Sequence, residues 1–128
     1  MLMRTSGIRV VAYCQPVDMR KGYEGLSRLV RREMDQDVLS GTLFLFTNKR
    51  RNRAKVLYFD GTGLCVLSKR LERGRFAPLW KRRASGALSL THAELELFLQ
   101  GSELIGKMAL SPPPLSKKQL AIGAQMCA

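Results

Sequence analysis

The chain has 128 residues, 45% hydrophobic and 25% charged, and its 22 Lys and Arg against 10 Asp and Glu give a formal net charge of +12. That length suits one domain with one core, and ordinary apolar usage excludes a disordered chain. Apolar runs such as 43–46 and 56–59 fall far short of the ~20 residues that span a bilayer, and so strong a positive excess needs a polyanion as partner.

Arg9 interrupts the only early apolar stretch, 8–14, so no secretory signal is expected and the protein is placed in the cytoplasm. Cys14, Cys65 and Cys127 are odd in number, widely spaced and free of any Cys-x-x-Cys pair. They are expected as reduced thiols, the first two facing the core, not as disulfides or zinc ligands.

Residues 8–14 are rich in β-branched side chains and run into Pro16, which marks a first strand. Asp18 can then cap a helix of about four turns, in which Tyr23, Leu26, Val30 and Met34 recur every three or four residues. Gly22 and Gly25 weaken that helix and suggest close packing on a sheet. Residues 43–47 and 54–60 read as strands joined by a basic loop at 48–53. Asp60-Gly61-Thr62-Gly63 tolerates positive φ, so 64–71 folds back antiparallel and completes a three-stranded meander. Arg73-Gly74-Arg75 turns the chain again, and 87–90 is a further short strand.

Thr91 and Glu94 form a capping box, and Leu90 and Leu95 occupy the two positions of a hydrophobic staple, so a second helix starts at residue 92. Leu95, Phe98 and Leu99 give it an apolar face, and Gly101 is placed to stop it. These patterns specify an α+β fold: one small domain over 1–110, with an antiparallel meander packed against two helices that cover one sheet face. Residues 111–128, which include Pro112-Pro113-Pro114, are expected as a loosely ordered tail.

Charge is distributed unevenly. Residues 1–40 carry seven basic and five acidic side chains and residues 91–128 three of each, whereas 41–90 carry twelve basic against only Asp60 and Glu72. Two reversals separate the loop at 48–53 from the segment at 69–75, so both can lie at one end of the sheet and form one phosphate-binding surface. Arg50, Arg51, Arg53, Lys55, Lys69, Arg70, Arg73 and Arg75 are the expected contacts, because guanidinium donates paired hydrogen bonds to phosphate and each neutralised phosphate releases counterion. Arg20 and Lys21 are secondary candidates at a helix N-terminus. Phe76 and Trp80 beside these charges are either stacking platforms for unpaired bases or core residues.

No catalytic residue or bound cofactor is indicated. His92 falls at the first position of the second helix, where a surface role is expected, and Gly61-Thr62-Gly63 lacks the third glycine of a phosphate-cradling loop. Asp18, Asp60 and Glu72 would have to converge to hold the divalent ions of a metal-dependent nuclease. Each has a simpler role, as helix cap, turn residue and arginine partner.

Three ordered motifs occur: Val17-Asp18-Met19-Arg20-Lys21-Gly22-Tyr23 with Gly25-Leu26, then Asn48-Lys49-Arg50-Arg51-Asn52-Arg53 with Lys55-Val56-Leu57-Tyr58-Phe59-Asp60-Gly61-Thr62-Gly63, then Lys69-Arg70-Leu71-Glu72-Arg73-Gly74-Arg75-Phe76. Over about residues 8–101 their order resembles the accessory TnpB proteins, products of the second open reading frame of insertion-sequence-66 transposons. The resemblance implies an accessory role beside a separately encoded transposase that performs strand transfer. It favours DNA as the polyanion, with nucleoid association when bound, and a transposase or other element-encoded protein as the competing partner. Ala77-Pro78-Leu79-Trp80 reverses the family's usual Trp-Pro order, and the segment from Ser102 onward departs from the usual ending. A bridging module between element-encoded proteins is the alternative function.

Overall fold

A computed structural model describes residues 7–81 and 87–101. Five strands form one mixed sheet: β1 (Val10–Tyr13), β2 (Leu43–Thr47), β3 (Arg53–Phe59), β4 (Leu64–Arg70) and β5 (Ala87–Leu90), in the spatial order β4-β3-β2-β1-β5. α1 (Tyr23–Arg32) crosses between the parallel neighbours β1 and β2, while α2 (His92–Leu99) follows the antiparallel edge strand β5. The expected meander is present as β2-β3-β4, and the fold is α+β. The boundary expected at 110, the tail at 111–128 and Cys127 lie outside the described residues.

The two central strands explain the layering. Every side chain of β1 and β2 is buried, the pattern of strands covered on both faces. Val10, Ala12, Leu43, Leu45 and Val56 point to one face, where they meet Phe76, Leu79, Leu95 and Phe98. Val11, Tyr13, Phe44, Phe46 and Leu57 point to the other, where Leu26, Val30 and Met34 cover them. The helices therefore lie on opposite faces, not together on one as the sequence reading held. A sheet centre with no polar side leaves no face that water could occupy.

α1 departs from expectation at its start. Gly22 is its N-cap and supplies no side-chain bond. Asp18 lies four residues earlier, where its Oδ1 accepts from the Arg20 N–H at 2.9 Å and the Lys21 N–H reaches the Asp18 carbonyl at 3.1 Å. Arg20 gives Asp18 a nearer partner than the helix, so Asp18 closes a local turn. Nor do the glycines meet the sheet: a Cβ on Gly25 would lie 3.0 Å from the Lys21 side chain, and one on Gly22 would meet nothing within 4 Å. The helix is ten residues long, ending before Asp35, whose φ is 52°.

α2 begins as its capping box dictates. Thr91 Oγ1 accepts from the Glu94 N–H at 3.1 Å, Glu94 Oε1 accepts from the Thr91 N–H at 2.8 Å, and Leu90 and Leu95 are both buried. His92 is half-buried with Nε2 2.7 Å from the Ile8 carbonyl oxygen, which ties the helix start to the chain entering β1. Gly101 follows the helix at a φ of 85°, and Leu71 packs against it. Cys14 is buried as expected, whereas Cys65 on the β4 edge is only partly so. No helix of the described residues is long and apolar enough to cross a membrane.

Two expectations follow. Phe76 is fully buried and stacks on Phe98 with ring centroids 4.9 Å apart and 10° between planes; Phe76→Ala should cost about 3–5 kcal/mol of stability in a urea titration. Asp60 closes the β3–β4 turn by accepting from the Thr62 and Gly63 N–H groups and the Thr62 hydroxyl. These bonds, the Thr62 N–H foremost, hold its carboxyl at about 2 instead of the ordinary 3.8. Its contribution to the turn is fully present above pH 3.8 and is lost as pH falls towards 2. A carboxyl-carbon NMR titration should place its midpoint near 2; a midpoint near 3.8 would show that the turn bonds do not form in solution.

Candidate nucleic-acid interface

One end of the sheet gathers the basic residues. The β2–β3 loop is held by Asn48: its Oδ1 accepts from the N–H groups of Asn52 and Arg53, both at 3.1 Å, and its Nδ2 donates to Asn52 Oδ1 at 2.7 Å. Inside this frame Arg51 adopts a φ of 60°, a conformation that costs a side chain with a Cβ about 1–2 kcal/mol. The chain leaving β4 is then bonded to the same loop. The Leu71 N–H donates to the Asn52 carbonyl at 2.8 Å and the Phe76 N–H to the Arg51 carbonyl at 2.6 Å, which sets Arg73 and Arg75 beside Arg50 and Arg51. The loop at 48–53 and the segment at 69–75 are thus at one end, as the two reversals allowed.

Strand register assigns the rest. Arg53 stands directly opposite Arg70, Lys55 opposite Ser68, and Leu57 opposite Val66, all on the face that carries α1. Lys69 pairs with Ala54 on the other face, where its Nζ donates to the Leu99 carbonyl at 2.6 Å and satisfies an orphan acceptor at the end of α2. Lys55 Nζ similarly donates to the Lys21 carbonyl at 2.8 Å. These two lysines therefore hold the fold together as well as carrying charge, and each ammonium keeps two further donors.

Two open grooves border Arg53 and Met19: one of about 530 Å³ lined by Lys55 and Arg70, the other of about 370 Å³ lined by Arg20, Lys49 and Arg50. Arg20 is paired with Asp18, Nη2 to Oδ2 at 2.7 Å, and Arg70 with Glu72 at 3.4 Å, all strongly exposed to water. The Arg20 guanidinium holds the Asp18 carboxyl at about 2. Such surface pairs are worth little and can open to a competing anion. Among the described residues, Arg50, Arg51, Arg53, Arg73 and Arg75 have no side-chain hydrogen bond or ion pair.

Two other sequence-level candidates separate from this surface. Phe76 belongs to the core and offers no face to a base; its neighbours Arg73 and Arg75 are polar, but the chain turns inward at Phe76 to fill the space above Phe98. Trp80 is half-buried in a 3-10 helix, Leu79–Lys81, packed under β1. The carboxylates do not converge either. Asp18 and Glu72 border the basic grooves, whereas Asp60 closes the opposite end of the β3–β4 hairpin, roughly 20 Å away along the strand. Among the described residues no group of three His, Cys, Asp or Glu could hold a metal ion. Asn48 and Asn52, absent from the sequence-level candidates, hold the loop in shape; an asparagine at each end of a turn was the available signal.

Residues 8–108 match the family described as IS66 Orf2 like protein. This chain belongs to that family. Two relatives from Sinorhizobium fredii, the uncharacterized proteins y4jC and y4hO, are each 35% identical over 101 residues, covering 79% of this chain and 85% and 86% of their own lengths. No solved structure matches significantly. Membership in the IS66 Orf2-like family assigns the chain an accessory role associated with insertion-sequence transposition.

The like-charge pair in this IS66 Orf2-like fold has a measurable consequence. Arginines directly opposite on adjacent strands repel. Arg53→Gln should therefore leave stability unchanged or raise it by roughly 0.2–1 kcal/mol in a urea titration. A clear loss would mean that Arg53 serves the fold.

Proposed function

We propose that the protein assists transposition by binding DNA through the basic end of its sheet. The observation that carries this reading is the opposition of Arg53 and Arg70 across β3 and β4, with Arg50 and Arg51 on the loop beside them. Repulsion between the two side chains works against the fold, Glu72 offsets it only at Arg70, and a phosphodiester offers two oxygens to a guanidinium fork. Arg51 supports the same reading. Glycine would occupy its backbone conformation without strain, yet the loop carries an arginine there.

The contact set is Arg50, Arg51, Arg53, Arg70, Arg73 and Arg75, with Arg20 released from Asp18 when phosphate arrives, and with Lys21, Lys55 and Lys69 adding field at the edges. None of these side chains presents a built pocket for a base edge, so phosphate contact dominates and sequence preference is weak. The separately encoded transposase supplies the strand-transfer chemistry, and this domain contributes affinity for the element's DNA. Association with the transposition machinery then follows from shared DNA.

The test is fluorescence anisotropy with labelled duplex and single-stranded DNA across a salt series. About six phosphate contacts give a slope of log affinity against log salt near −5 on duplex DNA, at roughly −0.9 per contact. Replacing Arg50, Arg51 and Arg53 with alanine should flatten that slope by roughly 2–3. Undetectable native binding, or an identical slope in the variant, would remove DNA from this surface.

A further inference from the structure

β4 is an edge of the sheet and is seven residues long. Among the described residues no other strand lies against its outer side, so a row of N–H and C=O groups faces outward. Its side chains are unusual for such an edge. Leu67 is 51% exposed on the α2 face, Leu64 and Val66 are only partly covered on the α1 face, and neither proline nor a bulge interrupts the strand.

Beside Leu64, α1 contributes Tyr23, Ser27, Arg28 and Arg31 to a small cavity of about 160 Å³ between the helix and this edge. Tyr23 is 54% exposed, and the buried Ser27 hydroxyl has no hydrogen-bond partner. Glu24 lines the same cavity, yet no ion pair joins it to Arg28 or Arg31. The α1 side of the edge is therefore basic at both ends, with Arg28 and Arg31 near Leu64 and Arg70 at the far end, while the other side carries Cys65, Leu67 and Lys69, whose ammonium is turned to the Leu99 carbonyl.

We infer that the β4 edge, together with Arg28 and Arg31, docks an extended acidic segment of a partner protein, which adds to the sheet as a sixth strand. Main-chain hydrogen bonds to β4 supply affinity, and alternate side chains supply specificity. Acidic residues face α1, where Arg28 and Arg31 await carboxylates; apolar residues alternate with them and cover Leu67. A second copy of this chain fits poorly. Antiparallel self-pairing centred on Leu67 would set Leu64 opposite the other copy's Arg70, on the α1 face, and so bring that arginine towards Arg28 and Arg31. This docking site shares only the Arg70 end of β4 with the proposed DNA surface and does not rest on it.

The probe is an eight-residue peptide of alternating glutamate and valine, followed by anisotropy and by amide hydrogen exchange of the full chain. Binding should protect amides within β4 and weaken by roughly tenfold or more in Arg28→Glu/Arg31→Glu, a variant checked for native circular dichroism. The same peptide N-methylated at alternate amides, which keeps its charge but cannot add as a strand, should not bind. The alanine variant of Arg50, Arg51 and Arg53 should bind the peptide as the native chain does. Equal binding to the Arg28→Glu/Arg31→Glu variant, or equal binding of the methylated peptide, would overturn the proposal. So would outward-facing amides at 64–68 that are already protected without peptide, or duplex DNA in place of peptide protecting those amides.

Discussion

The arrangement depends on one constraint: the two central strands present no polar face. Val10 and Ala12 look one way and Val11 and Tyr13 the other, and Leu43, Phe44, Leu45 and Phe46 repeat the pattern next to them. A sheet of this kind needs cover on both sides. α1 supplies it on one side by crossing between β1 and β2, and the stretch around Phe76 and Leu79 supplies it on the other with α2. Once both layers are committed to the centre, the outer hairpin of β3 and β4 extends past them, and its last residues are free to carry charge.

That division gives the basic end its character. Lys55 and Lys69 leave β3 and β4 on opposite faces and reach backbone carbonyls at the start of α1 and the end of α2. They fasten each covering layer to the hairpin. The arginines between and beyond them are held in position by backbone geometry, through Asn48 within the loop and through the Leu71 and Phe76 amides behind it. The backbone frame is held and has little loop freedom left to lose, whereas the unpaired arginine side chains keep their rotamer freedom. The exposed β4 edge lies along the same hairpin, so one extended element bounds the core and carries both the basic end and the open edge.

Carboxylates are few on this side of the molecule, and the fold disperses them. Asp60 is engaged by the turn it closes, Asp18 by Arg20 and Glu72 by Arg70. Each is a local neutraliser or turn residue, and the hairpin's length separates Asp60 from the other two. Charge at the basic end is therefore moderated at its margins but not at Arg50, Arg51 and Arg53.

The sequence by itself determined what depends on neighbours along the chain. The Thr91–Glu94 capping box, the Asp60 turn, the meander and the concentration of arginines around 49–75 were legible because capping, turn chemistry and alternation act over a few residues. The family resemblance was equally legible, in three contiguous motifs. Asp18 misled for the same reason: a helix cap and a tight turn onto Arg20 both satisfy its carboxylate locally, and sequence alone does not rank them. Tertiary structure decided the parallel pairing of β1 with β2, the placement of the helices on opposite faces, the burial of Phe76 on Phe98, and the confrontation of Arg53 with Arg70. Each joins residues far apart in the chain or sets a cross-strand register, and only the joint packing of both faces fixes which side chain turns inward and which meets its like.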